Sequence, residues 1–101
     1  MTHDEANKIK GSFETRFPGL VEAVEVREGR FRFEVWTDRF NGVGHDERQD
    51  QVWAIVDDLL GRGELPPKAD LDISMILCYA ETDPFIDFKG YVEAAELAGR
   101  A

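Results

Sequence analysis

Apolar residues recur along this chain at two spacings, and the alternation between them lays out its elements. Ala6, Ile9, Phe13 and Phe17 lie three or four residues apart, which places them on one face of a helix. The run from Thr2 to Glu5 has the form of a capping box, so a first helix is expected from there to the stop at Pro18 and Gly19. Gly11 weakens its middle by about 1 kcal/mol relative to alanine, so this helix depends on the core beneath it.

Leu20 to Arg27 is rich in valine and bounded by glycine, which predicts a strand, and Glu28 and Gly29 form a two-residue hairpin connection. From Arg30 to Trp36 the alternation is strict. Phe31, Phe33 and Val35 share one face; Arg30, Arg32, Glu34 and Trp36 share the other, the pattern of an antiparallel strand with a buried side and a wetter side. After the turn signal at Asn41 and Gly42, a second helix is expected from about Asp46 to Leu60, with Val52, Ile55, Val56 and Leu59 as its stripe and Trp53 beside it. Leu71 to Ala80 reads as a strand that is apolar on both faces toward its end, the mark of a strand central in its sheet or covered on both sides. Asp83 and Pro84 read as a cap and first helical residue, with Phe85, Phe88, Tyr91, Val92 and Ala95 as the apolar face of a last helix. The expected fold is one α+β domain over residues 1 to 101, a three-stranded sheet with helices in the order α-β-β-α-β-α.

Charge narrows the partners. The net charge of -9 surrounds the chain with a negative field that opposes nucleic-acid phosphates and anionic membranes. Residues 1 to 50 carry 8 basic and 11 acidic side chains, and residues 51 to 101 carry 4 and 10, so any contact with an anionic polymer belongs to the first half. A single cysteine, Cys78, excludes an internal disulfide and a CxxC redox pair, and suits a reducing compartment. The first residues lack the basic and apolar blocks of a signal peptide, and no apolar run spans a bilayer, so a cytoplasmic location is expected.

The segment Thr37, Asp38, Arg39, Phe40, Asn41, Gly42, with Arg48 and Gln49 opening the helix and Val52 and Trp53 following in register, resembles the BolA-like family. Ile73 to Ile76 is similar to that family's Ile-His-Ala-Leu segment, and Thr82 to Pro84 to its Thr-Pro exit. The resemblance covers roughly residues 5 to 88 in order of elements, and its specific part is Thr37 to Trp53. It implies a fold similar to a type II KH domain and a monothiol glutaredoxin as protein partner, with Arg39, Phe40, Arg48, Gln49, Trp53 and Ser74 in the partner-binding region. It also implies a shared [2Fe-2S] cluster, with one ligand from the Ile-His-Ala-Leu histidine and a second from the first hairpin. Here Ser74 stands at the first position, and Arg27 to Arg30 contains neither His nor Cys. Ligation in the family manner is therefore not expected, nor is any other cofactor or metal. The expectation is a non-enzymatic adaptor or regulatory protein that binds a protein partner without supplying iron-sulfur ligands.

The residues permit a second, KH-like reading as a nucleic-acid binder. Arg27, Arg30 and Arg32 with Arg39 form a candidate basic strip and Trp36 a stacking platform. Against it, Gly42, Val43 and Gly44 make a GxG without lysine where KH domains carry GxxG. Glu25, Glu28 and Glu34 interleave with the arginines, so a cross-strand salt-bridge ladder is the favoured account. Trp36 has three open readings: covered by a helix, covered by a second subunit in a homodimer, or anchoring another partner. His45 reads as an exposed residue near the helix cap, Cys78 as a buried structural thiol, and Asp57 and Asp58 as a solvated face, since consecutive helical residues diverge by about 100°.

Overall fold

The computed structural model describes residues 1 to 99. The order is α-β-β-α-β-α, an α+β domain: α1 (His3–Arg16), β1 (Gly19–Arg27), β2 (Arg30–Thr37), α2 (His45–Gly61), β3 (Ile73–Tyr79) and α3 (Phe88–Gly99). Short 3-10 turns precede α2 at Asp38–Phe40 and β3 at Ala69–Asp72.

α1 starts where its capping box places it. The Glu5 amide donates to Thr2 Oγ1 at 3.1 Å, and the Thr2 amide donates back to Glu5 Oε1 at 2.7 Å. Its face of Ala6, Ile9 and Phe13, with Phe17 just beyond it, is buried against the inner side of the sheet. That face meets Phe31, Phe33 and Val35 of β2, whose alternation sends them all inward, and Phe13 packs edge-on against Phe33 with ring centroids 5.9 Å apart. Val52, Val56 and Leu59 of α2 close the same core. Burying each such side chain fully contributes about 1.5 to 3 kcal/mol, so this inner layer outweighs the cost of Gly11 in α1.

β1 and β2 pair antiparallel through the tight turn at Gly29, whose φ of 77° is a left-handed conformation that glycine adopts without strain. β2 and β3 pair parallel, and the sheet order is β1-β2-β3. The central strand is thus β2, and β3 lies at an edge. Of the two readings its apolar end allowed, central in the sheet or covered on both sides, the second holds. Ile76 and Cys78 turn into the core, while Leu77 and Tyr79 are half-buried on the outer face, Tyr79 under Trp36.

The last helix begins later than its sequence signal. Asp83 and Pro84 stand in a turn, and α3 starts only at Phe88, because the Asp83 carboxylate is engaged elsewhere: it accepts from the Ala80 amide at 2.9 Å and from Arg48. Phe85, expected on the apolar face of that helix, is 96% exposed. α3 buries no residue fully. It rests on the outer face through Tyr91, which stacks on Trp36 with centroids 4.0 Å apart and planes 10° from parallel.

Candidate functional site

Arg48 is the centre of the interface between α2 and β3. One turn into α2, it points inward and is 4% exposed. Its Nε donates to the Val43 carbonyl at 2.8 Å, and its two terminal nitrogens donate to the Asp83 carboxylate at 2.8 and 2.9 Å. Nη1 also reaches the Cys78 carbonyl at 3.4 Å. These bonds raise the Arg48 pKa further, chiefly through Asp83, and hold the Asp83 carboxyl down at about 2. Gln49 completes the pattern. Its Nε2 donates to the Ile76 carbonyl at 2.7 Å and approaches Cys78 Sγ at 3.7 Å, and its Oε1 accepts from Trp53 Nε1 at 3.2 Å.

β3 is hydrogen-bonded to another strand on one side only. Side chains of α2 take two of its carbonyls, those of Ile76 and Cys78, and Asp83 takes the Ala80 amide just past its end. An edge covered in this way is protected from pairing with another chain. The resemblance puts Arg48, Gln49 and Trp53 in the partner-binding region; the structure gives them this internal work. Arg48 is corrected most fully, being buried and paired. Phe40 is corrected as well: it is 0% exposed, packed against Phe17 with centroids 5.0 Å apart, and has no surface to offer. Arg39 is exposed and Ser74 half-buried, so both keep access to solvent.

The basic strip does not assemble. Arg27 and Arg30 face each other across the hairpin and are exposed, whereas Arg32 pairs with Glu34 at 3.3 Å. Trp36, six residues beyond Arg30, is 6% exposed and lies against Tyr79 and Tyr91 with centroids 4.2 and 4.0 Å away. It is therefore not a free stacking platform, and α3 occupies the place that a second subunit would need to cover it. Its Nε1 and the Nε of Arg32 are buried without a hydrogen-bond partner among the described residues.

His45 is exposed at the first position of α2, and Asp57 and Asp58 are both exposed, with Asp58 paired to Arg62 at 3.0 Å. Burial pushes the Cys78 thiol up to about 12, which makes it an inert core group. Among the described residues, no three His, Cys, Asp or Glu side chains gather as metal ligands. Ser74 and the hairpin offer no thiolate or imidazole, so these residues do not fit a [2Fe-2S] cluster held in the BolA manner. No helix among the described residues is long and apolar enough to cross a membrane.

Two depressions remain near this centre. A groove of about 690 Å³ between α1 and α2 has a mixed lining, with Phe17, Ala54 and Ile55 beside Arg16, Glu47, Asp50 and the Asp58–Arg62 pair. A second, of about 510 Å³, lies where the start of α2 meets the end of β3, between Gln49, Leu77 and Tyr79 on one side and Pro84, Phe85 and Ile86 on the other. Phe85 on its rim escaped the sequence reading because an aspartate-proline pair followed by apolar residues at helical spacing is an ordinary helix start. Asp83 was visible only as a cap, since nothing local announces a partner 35 residues away. Comparison with known proteins finds no matching family model, no similar curated protein and no similar solved structure.

Proposed function

We propose that this chain is a non-catalytic adaptor of the BolA-like kind, which binds a protein partner and supplies no iron-sulfur ligand to it. A monothiol glutaredoxin is the first candidate, in a reducing cytoplasmic compartment where Cys78 stays a thiol. One observation carries the reading: Phe85, 96% exposed, on the rim of the groove between α2 and β3. An adaptor of this kind needs an exposed apolar patch in that region, and Phe85 with the half-buried Leu77, Tyr79 and Ile86 beside it supplies one. The Thr37 to Trp53 residues and the order of elements support the family, while Ser74 and the histidine-free hairpin support the absence of ligation.

The test is an NMR titration of labelled protein with monothiol glutaredoxin, apo and cluster-loaded. Shifts confined to Gln49, Ser74, Leu77, Tyr79 and Phe85, with the visible spectrum of the cluster unchanged, are expected. A changed spectrum would refute the absence of ligation and make His45 the first residue to substitute. A titration without shifts would remove the glutaredoxin reading.

A further inference from the structure

We infer that α3 is a lid, which opens and closes over the outer face of the sheet while the core between the inner face, α1 and α2 stays folded. The three helices are held unequally. α1 buries Ala6, Ile9 and Phe13, and α2 buries Arg48, Val52, Val56 and Leu59, whereas α3 buries no residue fully. Its Val92 and Ala95 are half-buried, and Tyr91 and Leu97 are exposed. Tyr91 and Phe88 supply its aromatic grip on Trp36, with centroids 4.0 and 5.9 Å away, and the Tyr91 hydroxyl donates to Glu22 at 3.2 Å. The Lys89–Glu81 pair, 3.7 Å apart and exposed, adds little. A segment held by so few buried groups opens at a lower free energy than the core it rests on.

The closed position also carries penalties of its own. On the covered face, Trp36 is 6% exposed and its Nε1 meets no acceptor among the described residues. Glu34, equally shielded, stands directly opposite Glu22 across the β1/β2 ladder, and Arg32 at 3.3 Å is the cation beside it. A buried donor without an acceptor and two facing carboxylates both oppose closure, and water relieves both when α3 lifts.

A hinge lies between two fixed points. Asp83 is anchored to the core by Arg48 and by the Ala80 amide. Asp87 belongs to the lid: its carbonyl accepts from the Tyr91 amide at 3.0 Å and its carboxylate from the Gly90 amide at 3.1 Å. Between them, Pro84, Phe85 and Ile86 make no hydrogen bond to any other described residue. The chain pivots there without disturbing the Arg48–Asp83 pair, and opening presents the Trp36 ring to solvent.

Native-state hydrogen exchange of the full chain, followed by NMR, tests the lid. A lifted α3 of 12 residues is too short to keep its helix in water, so its amides exchange on opening. After correction for intrinsic rates, the Val92 and Ala95 amides and the Trp36 indole N–H are expected to share one protection factor, roughly a hundredfold or more below that of the Phe13 and Val35 amides. Ile9→Val, in the core, is expected to lower the protection of Phe13 and Val35 about fivefold and to leave that of Val92, Ala95 and the indole unchanged, because Ile9 stays buried when the lid opens. Tyr91→Ala is expected to lower the protection of the lid and the indole about fivefold or more. Equal protection of lid and core, or an equal response of both to Ile9→Val, would overturn the proposal, since α3 would then leave the sheet only as the whole chain unfolds. An indole protected at the core level beside fast α3 amides would overturn it too, as fraying that never uncovers Trp36, and so would a lid indifferent to Tyr91→Ala.

Discussion

Arg48 on α2 and Asp83 beyond β3 form a two-bonded ion pair, Nη1 to Oδ2 at 2.8 Å and Nη2 to Oδ1 at 2.9 Å, across 35 residues of sequence. The pair fixes the start of α2 against the end of β3 and shapes the floor of the groove that Phe85 overlooks. Removing one partner leaves a desolvated charge. Asp83→Asn is therefore expected to destabilise the fold by about 2 to 3 kcal/mol, and Arg48→Met by a similar amount, below the full cost of a deeply buried pair because the Asp83 side chain keeps 20% exposure. Urea unfolding of the two single variants and the double variant checks this, with strong non-additivity expected.

The same pair sets an acid limit. Hydrogen bonds from Arg48 hold the Asp83 carboxyl at about 2, below its ordinary 3.8. A carboxylate with a depressed folded pKa contributes stability that is complete above the unfolded value and is lost as pH falls toward the folded one. Stability is expected to drop by about 2 kcal/mol between roughly pH 4 and pH 2 from this group alone, and this part of the loss should vanish in Asp83→Asn. An unchanged acid limb in the variant would show that other carboxylates govern it.

Gln49→Ala removes the donor to Ile76 and the acceptor for Trp53. A cost of about 1 to 2 kcal/mol is expected, with faster amide exchange confined to β3. Cys78 supplies a second readout. With its thiol at about 12 and its surface buried, the folded wild type is expected to alkylate on the order of a hundredfold slower than the unfolded chain, and Gln49→Ala to narrow the gap.

Two glycines should respond in opposite directions. Gly11 is helical with open space around it, so Gly11→Ala is expected to stabilise by about 1 kcal/mol. Gly19 has φ of 140°, and a Cβ there would collide with the Trp36 carbonyl oxygen, an immovable backbone atom in the β1/β2 ladder. Gly19→Ala is expected to cost several kcal/mol, roughly 3 or more, or to prevent folding. Thermal melts of both variants decide the matter.

α3 is attached through Tyr91, stacked on Trp36 and donating to Glu22 at 3.2 Å. In a Trp53→Phe background, Tyr91→Ala is expected to red-shift the Trp36 emission, with a stability loss of only about 1 to 2 kcal/mol because α3 buries no residue fully. Unshifted emission would mean that Phe88 and the rest of α3 hold the helix without Tyr91.

Much of this molecule follows from local chemistry. The Thr2–Glu5 capping box, the alternation from Arg30 to Trp36, the hairpin at Gly29 and the helical stripe of Val52 and Val56 each involve neighbours within a few residues. A period of 2 or of 3.6 reveals which face each element buries, and the element order came out as those periods imply. The inward set of Phe31, Phe33 and Val35 was legible for the same reason.

The tertiary structure alone decided how the elements meet. Whether β2 or β3 is central depends on pairing across dozens of residues, and an apolar strand end looks the same whether a sheet neighbour, a helix or Trp36 covers it. Arg48 belongs to a residue type that usually meets water, and Trp36 stands on the face of β2 that its alternation makes the wetter one, so nothing in their immediate sequence announces burial. Their burial is possible because partners converge from distant elements: Asp83 and two carbonyls on Arg48, Tyr79 and Tyr91 on Trp36. The exposure of Phe85 is the converse case. Asp83, drawn to Arg48, caps no helix there, α3 starts only at Phe88, and the aromatic meant by its spacing for a buried face is left in solvent.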